Sequence, residues 1–127
     1  MITKSQVKYI QSLSHKKFRD QEDCFIVEGP KMVEEMLQEG LLSVRELFAT
    51  EEWIEKAAPT VLQNKGVNLT SVRPQELQRI SFLQTANQVL GIFNKPASTA
   101  FVPRGITLML DDLQDPGNMG TIIRCAD

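Results

Sequence analysis

Four short apolar runs alternate with stretches whose apolar residues recur at helical spacing, and this alternation constrains the fold more than any other feature of the chain. The runs are CFIVEG from Cys24, SVRELFA from Ser43, Val67 to Val72, and QVLGIF from Gln88. Each has the length of a strand. Between the first two, Gly29-Pro30 opens a helix, with proline at the first helical position where its missing N–H costs nothing. Met32, Val33, Met36 and Leu37 form its apolar face until Gly40 stops it. Thr50 begins the next helix with Glu51 and Glu52 favourably placed in the first turn, and Pro59 should break or kink it. Pro74 starts a third, PQELQRIS. Ahead of them all, Thr3 caps a helix carrying Val7, Ile10 and Leu13, which gives way to the polar stretch SHKKFRDQED. A helix followed by β-α-β-α-β-α-β predicts an α/β fold, a compact three-layer α/β/α domain around a mostly parallel sheet.

The composition shifts after Phe93. NKPASTAFVPR, residues 94–104, holds two prolines and no periodicity, as a linker does. The expected organisation is a domain over 1–93, a linker over 94–104, and the beginning of a second domain over 105–127. In that last part ITLML reads as a strand covered on both faces, ending at Asp111 and Asp112. A lone strand has no partner for its backbone groups, and a helix shorter than about 12 residues is marginal in isolation. Asp127 falls near the negative pole of that helix, without a glycine, asparagine or basic cap. Residues 105–127 therefore read as the severed start of a second domain. A chain of 127 residues with 42% hydrophobic content supports one ordinary core and a fragment of another, not two.

Net charge is −2, so the molecule as a whole attracts no polyanion. Its distribution does. Residues 1–19 contain five basic residues and no acid, while the remainder sets nine bases against sixteen acids. A polyanion could dock at that end only. Cys24 and Cys125 stand apart without a CxxC or Cys/His cluster, which predicts no metal site, no disulfide framework and a reduced, cytoplasmic setting. The N-terminus lacks an apolar signal core, and no run approaches the ~18 residues of a membrane span, so the expected protein is soluble and unexported.

The stretch that carries chemistry is LDDLQDPGNMGTIIRCAD, Leu110 to Asp127. In α/β proteins, ligands bind where strand-to-helix turns gather. Pro116-Gly117 reads as the turn and Asn118 as the N-cap of a helix whose free N–H groups suit an anion or a carbonyl oxygen. Gly120 and Arg124 are four apart and share a face, leaving room beside the guanidinium for a phosphate or ribose. Spacing alone equally allows a capped helix with a solvated arginine.

DPGNMGTIIRCAD resembles the N-x-G-x-x-x-R signature of the SpoU family of RNA ribose methyltransferases within the SPOUT superfamily, matched by Asn118, Gly120 and Arg124. Asp115, Pro116 and Gly117 follow the same pattern. SLSHKKFRDQEDCFIVEGPKMVEEML is similar to the opening of that family's substrate-binding domain, and TANQVLGIFNKP to its closing strand. The resemblance implies a front domain like ribosomal proteins that bind kinked RNA, followed by a knotted domain that binds S-adenosylmethionine and forms a homodimer, with residues 1–127 alone monomeric. Arg124 would contact the target phosphate or ribose and help activate the 2′-hydroxyl, and Asn118 would hold the active-site loop and the substrate. The implied partner is structured RNA, ribosomal first and transfer RNA second. Later family motifs, which hold the methyl donor, are absent from residues 1–127, so this chain alone is expected neither to bind the cofactor nor to methylate. The competing expectation is a stand-alone module that binds structured RNA without chemistry, and a domain with no RNA role is the third.

Under the resemblance His15, Lys16, Lys17 and Arg19 become candidate phosphate contacts, against the bland alternative of a solvated basic face. Glu28 and Lys31 read as structural, with Gly29 allowing a tight strand-to-helix turn. Cys24, Met32, Met36, Trp53 and the six phenylalanines read as core, since no basic and aromatic residues interleave along the chain.

Overall fold

The computed structural model describes residues 1–40, 42–57, 66–100 and 102–127, which form two compact units, Met1–Ala97 and Ser98–Asp127. In the first unit α1 spans Lys4–Ser12 and α2 Lys16–Glu22, before β1 at Cys24–Glu28. Then come α3 (Pro30–Glu39), β2 (Val44–Ala49), α4 (Glu51–Lys56), β3 (Asn68–Ser71), α5 (Pro74–Ile80) and β4 (Val89–Asn94). Thr3 caps α1 as its sequence demands: its hydroxyl accepts the Gln6 N–H at 3.2 Å, and the Gln6 side chain takes the Thr3 N–H at 3.0 Å. α2 was not anticipated. KKFRDQE buries no residue and so shows no apolar stripe, and it ends at Asp23 in the left-handed conformation, φ 51°.

The strands order β1-β4-β2-β3. β2 and β3 run parallel, but β4 lies antiparallel to both β1 and β2, so the expectation of a mostly parallel sheet is corrected to a mixed one. The path of α5 gives the reason. It begins at Arg73, just beyond the carboxyl end of β3, and ends at Ser81, whose hydroxyl reaches Glu28 at the carboxyl end of β1. The chain thus crosses the end of the sheet and never travels back along it. β4 has to start from that same end, with the Val89 carbonyl accepting the Gly29 N–H at 3.0 Å.

The three layers are as expected. Leu90 and Ile92 of β4 meet Ile10 of α1 and Leu77 and Ile80 of α5 on one face. Val89 and Phe93 meet Val33 and Leu37 of α3 and Trp53 of α4 on the other. Gly91 belongs to the second face and must be glycine, because a Cβ there would lie 2.6 Å from Phe93 Cε2 and 2.9 Å from Leu47 Cδ2. Trp53 is buried, and its indole N–H still finds Glu34 Oε1 at 3.1 Å. Cys24 is core. Met32 is not: Val33 and Leu37 set the inward direction of α3, and Met32, about 100° round the helix from Val33, is 47% exposed. Pro59 lies outside the described residues.

Glu76 ties the N-terminus to the first turn of α5. Its carboxylate accepts the Arg73 N–H at 3.0 Å, Arg73 Nε at 3.3 Å and the Ile2 N–H at 3.4 Å, and these bonds hold its pKa down at about 2. The Arg73 side chain has no acceptor to offer in return, so the side-chain part of the cap is made by the glutamate, while the Arg73 carbonyl accepts the Glu76 N–H at 2.9 Å.

In the second unit ITLML forms no strand. Ile106 and Met109 are almost fully exposed, because among the described residues no neighbouring strand offers them a ladder. α6 spans Pro116–Ala126.

Candidate functional site

The C-terminal motif is built differently at its start from the sequence expectation. Asp115, not Asn118, is the N-cap: its Oδ1 accepts the Gly117 N–H at 2.7 Å. Pro116 therefore occupies the first helical position, where its fixed φ fits, and Pro116-Gly117 is helix, not turn. Asn118 falls two positions further in. Thr121 Oγ1 donates to the Gly117 carbonyl at 3.0 Å and seals the first turn. Nothing lies within 4 Å of a Cβ built on Gly120, so the space expected there exists. Arg124 is exposed in the last turn of α6, where a cation also suits the helix dipole.

The basic segment sits in the other unit. His15 is the N-cap residue of α2, its ring edge-on to Phe18 with centroids 6.3 Å apart. Arg19 Nη1 donates to the carbonyls of Leu13 and Ser14 at 2.8 and 2.7 Å, closing the end of α1. That bond pair gives Arg19 a structural duty which the charge pattern could not reveal. The acids of α2 are turned to other partners: Asp20 to Lys95 at 2.5 Å and Glu22 to Arg45 at 3.7 Å. The hydrogen bond from Lys95 lowers the pKa of Asp20. Lys16 and Lys17 stay exposed and enter no ion pair among the described residues.

Glu28 has the structural role expected of it, holding the loop between α5 and β4. Its Oε2 accepts from Ser81 Oγ at 2.5 Å and its Oε1 from the Phe82 N–H at 2.8 Å. Gly29, at φ 96°, makes the tight turn into α3, with Lys31 exposed beside it. Not every phenylalanine is core. Phe48 and Phe93 are fully buried, but Phe18 and Phe82 are 41% and 45% exposed, with Leu83 at 46%. Phe82 and Leu83 border a cleft of about 560 Å³ whose lining also includes Leu13, Phe25 and Arg19. The only sequence sign of this feature is a Phe-Leu pair inside the otherwise polar loop SFLQTANQ. A second cleft, about 820 Å³, opens at the carboxyl ends of β2 and β3 beside Thr50, Ser71 and Arg73. The Thr50 hydroxyl is buried without a partner among the described residues.

No group of His, Cys, Asp and Glu able to hold a metal ion occurs among the described residues. None of their helices is long and apolar enough to cross a membrane.

Residues 4–91 match the family model described as the MRM3-like substrate binding domain. The chain belongs to the MRM3-like family. The frog Xenopus laevis protein named rRNA methyltransferase 3, mitochondrial, is 28% identical over 94% of this chain and 30% of its own length. The Bacillus subtilis protein named 23S rRNA (guanosine(2553)-2′-O)-methyltransferase RlmP is 30% identical over 96% of this chain and 47% of its own. A solved structure from Porphyromonas gingivalis, described as an RNA methyltransferase of the TrmH family, superposes with a TM-score of 0.82. It is 36% identical and covers 100% of this chain and 49% of its own. This MRM3-like chain thus spans half or less of the length of these relatives, and its fold is that of the SpoU and TrmH methyltransferases.

Proposed function

We propose that this chain supplies the RNA-recognition part and the first catalytic motif of an S-adenosylmethionine-dependent 2′-O-ribose methyltransferase acting on ribosomal RNA. One observation carries the reading: the alignment with the Bacillus protein, whose name states that reaction, runs over 96% of the chain. The proposed organisation is substrate-binding domain over 1–93, linker over 94–104, and the opening of the catalytic domain over 105–127. The whole enzyme is proposed to be a homodimer in the cytoplasm, a reducing setting that suits the unpaired Cys24 and Cys125. A mitochondrial location is the alternative offered by the frog relative's name.

The donor, when bound, supplies an electrophilic methyl group. No residue here is assigned to hold it, since the described clefts are lined by residues between Met1 and Gln88 and the 105–110 segment is exposed. What this chain contributes is the nucleophile's surroundings. A ribose hydroxyl is a poor nucleophile at neutral pH, and a fixed cation favours the oxyanion as it develops. A guanidinium is a cation with donors only, so Arg124 acts electrostatically and by positioning, not by taking the proton. Asp115 fixes the start of the helix that carries it, and Asn118 holds the loop and the substrate. Lys16 and Lys17, with His15 and the remaining donors of Arg19, meet RNA phosphates.

Filter binding of ribosomal RNA to this chain tests the recognition half. Affinity should fall as salt rises, with a log–log slope of about −0.7 for each single-strand phosphate contact. Absence of salt-sensitive binding to ribosomal RNA would remove the RNA reading.

A further inference from the structure

We infer that the cleft beside the 81–88 loop receives one unpaired nucleotide of the RNA substrate, its base against Phe82 and Leu83 and its phosphate beside Lys16 and Lys17. This rests on the RNA reading above and adds where, and in what form, the RNA is met.

The loop is held firmly, yet displays apolar surface. Beyond the two bonds to Glu28, the Leu83 N–H donates to Ser81 Oγ at 3.1 Å. Gln78 Nε2 reaches the Gln84 carbonyl at 3.3 Å, and its Oε1 takes the Ala86 N–H at 2.9 Å. Loops fixed by so many bonds ordinarily turn large apolar side chains inward. Here Phe82 and Leu83 are both kept nearly half exposed at the mouth of a cleft whose floor, Leu13, Phe25 and Ile26, is apolar as well. Both Glu28 oxygens accept from neutral donors of the loop and its charge remains, which favours a phosphate on the lysine side of the cleft over one beside the carboxylate.

Charge selects the occupant. Ser14 and Arg19 both line this cleft, and Lys16 and Lys17 lie between them in the chain, on a helix whose acids Asp20 and Glu22 are neutralised by Lys95 and Arg45. An apolar protein segment would use the floor and leave the cations unanswered. A nucleotide uses both, its base on the aromatic and aliphatic surface and its phosphate near the ammonium groups. The demand for an unpaired base follows from geometry, since a base within a duplex cannot present its face to a side chain. Folding brings Phe82 to the same cleft as Arg19, 63 positions earlier, an interleaving invisible along the sequence.

Fluorescence anisotropy of the full chain with two labelled RNAs of equal length, a hairpin with an unpaired loop and a blunt duplex, tests the assignment. Wild-type protein should prefer the hairpin. The double variant Phe82→Ala, Leu83→Ala should bind the hairpin roughly fivefold or more weakly, the usual loss on removing a stacking partner, with duplex affinity unchanged. Phe82→Tyr should keep wild-type affinity. Lys16→Ala with Lys17→Ala should flatten the salt dependence by about 0.7 per lost contact. Far-UV circular dichroism of each variant separates lost contacts from lost fold. If the hairpin is bound equally well without Phe82 and Leu83, a nucleotide is not the occupant, although the RNA reading stands. If the wild-type chain binds neither RNA, both fall.

Discussion

Arg124→Ala in the whole enzyme is expected to lower kcat/KM for ribosomal RNA by roughly 10²- to 10³-fold, the loss typical of removing one preorganised donor from a developing oxyanion. The side chain is exposed in α6 and enters no ion pair among the described residues, so its removal should leave the fold unchanged. Arg124→Lys keeps the charge but loses the planar fork of donors, and should fall between wild type and alanine. Single-turnover kinetics would locate the loss in the chemical step. An alanine variant within about threefold of wild type in that step, a difference of well under 1 kcal/mol, would take Arg124 out of the mechanism.

Trp53→Ala should be the most damaging single change to the first unit. Trp53 packs with Val33, Leu37 and Phe93, and beneath Phe93 the backbone at Gly91 already admits no Cβ. Large-to-small changes of an aromatic core residue cost about 3–5 kcal/mol, with the upper part of that range applying where relaxation is restricted. The loss of the Glu34 bond adds little, since that carboxylate is only part-buried. Urea unfolding followed by circular dichroism measures the change. A loss below about 1 kcal/mol would mean that α4 docks on the sheet less tightly than its burial indicates.

Local signals in the sequence were readable because they are local. The Thr3 and Gly40 boundaries, the proline starts of α3 and α5 and the four apolar runs all depend on neighbours within a turn, and each lies within a residue or two of its expected place. Strand direction was not readable. Alternating helices and strands prescribe layers, but parallel order also requires each helix to run back along the sheet, and α5 instead crosses its end to meet Glu28. α2 escaped notice because its contacts are polar, to Lys95 and Arg45, distant in the chain. At the C-terminal motif the choice of cap turned on Pro116: either Asp115 or Asn118 could serve, and a proline at the first helical position favours the residue before it. The exposed Phe82 could be recognised only once Glu28, 54 positions away, was seen to hold its loop.

The enzyme to which this chain is proposed to belong methylates a ribose oxygen of ribosomal RNA. Labelling that RNA with the whole protein and S-adenosylmethionine carrying a radioactive methyl group, followed by alkaline hydrolysis, tests it most directly. A 2′-O-methyl group removes the internal nucleophile that alkali needs, so the predicted label appears in an alkali-resistant dinucleotide, at an initial rate roughly 10²- to 10³-fold lower in Arg124→Ala. Label recovered in mononucleotides, which marks methylation of a base, or no label in RNA at all, would contradict the account.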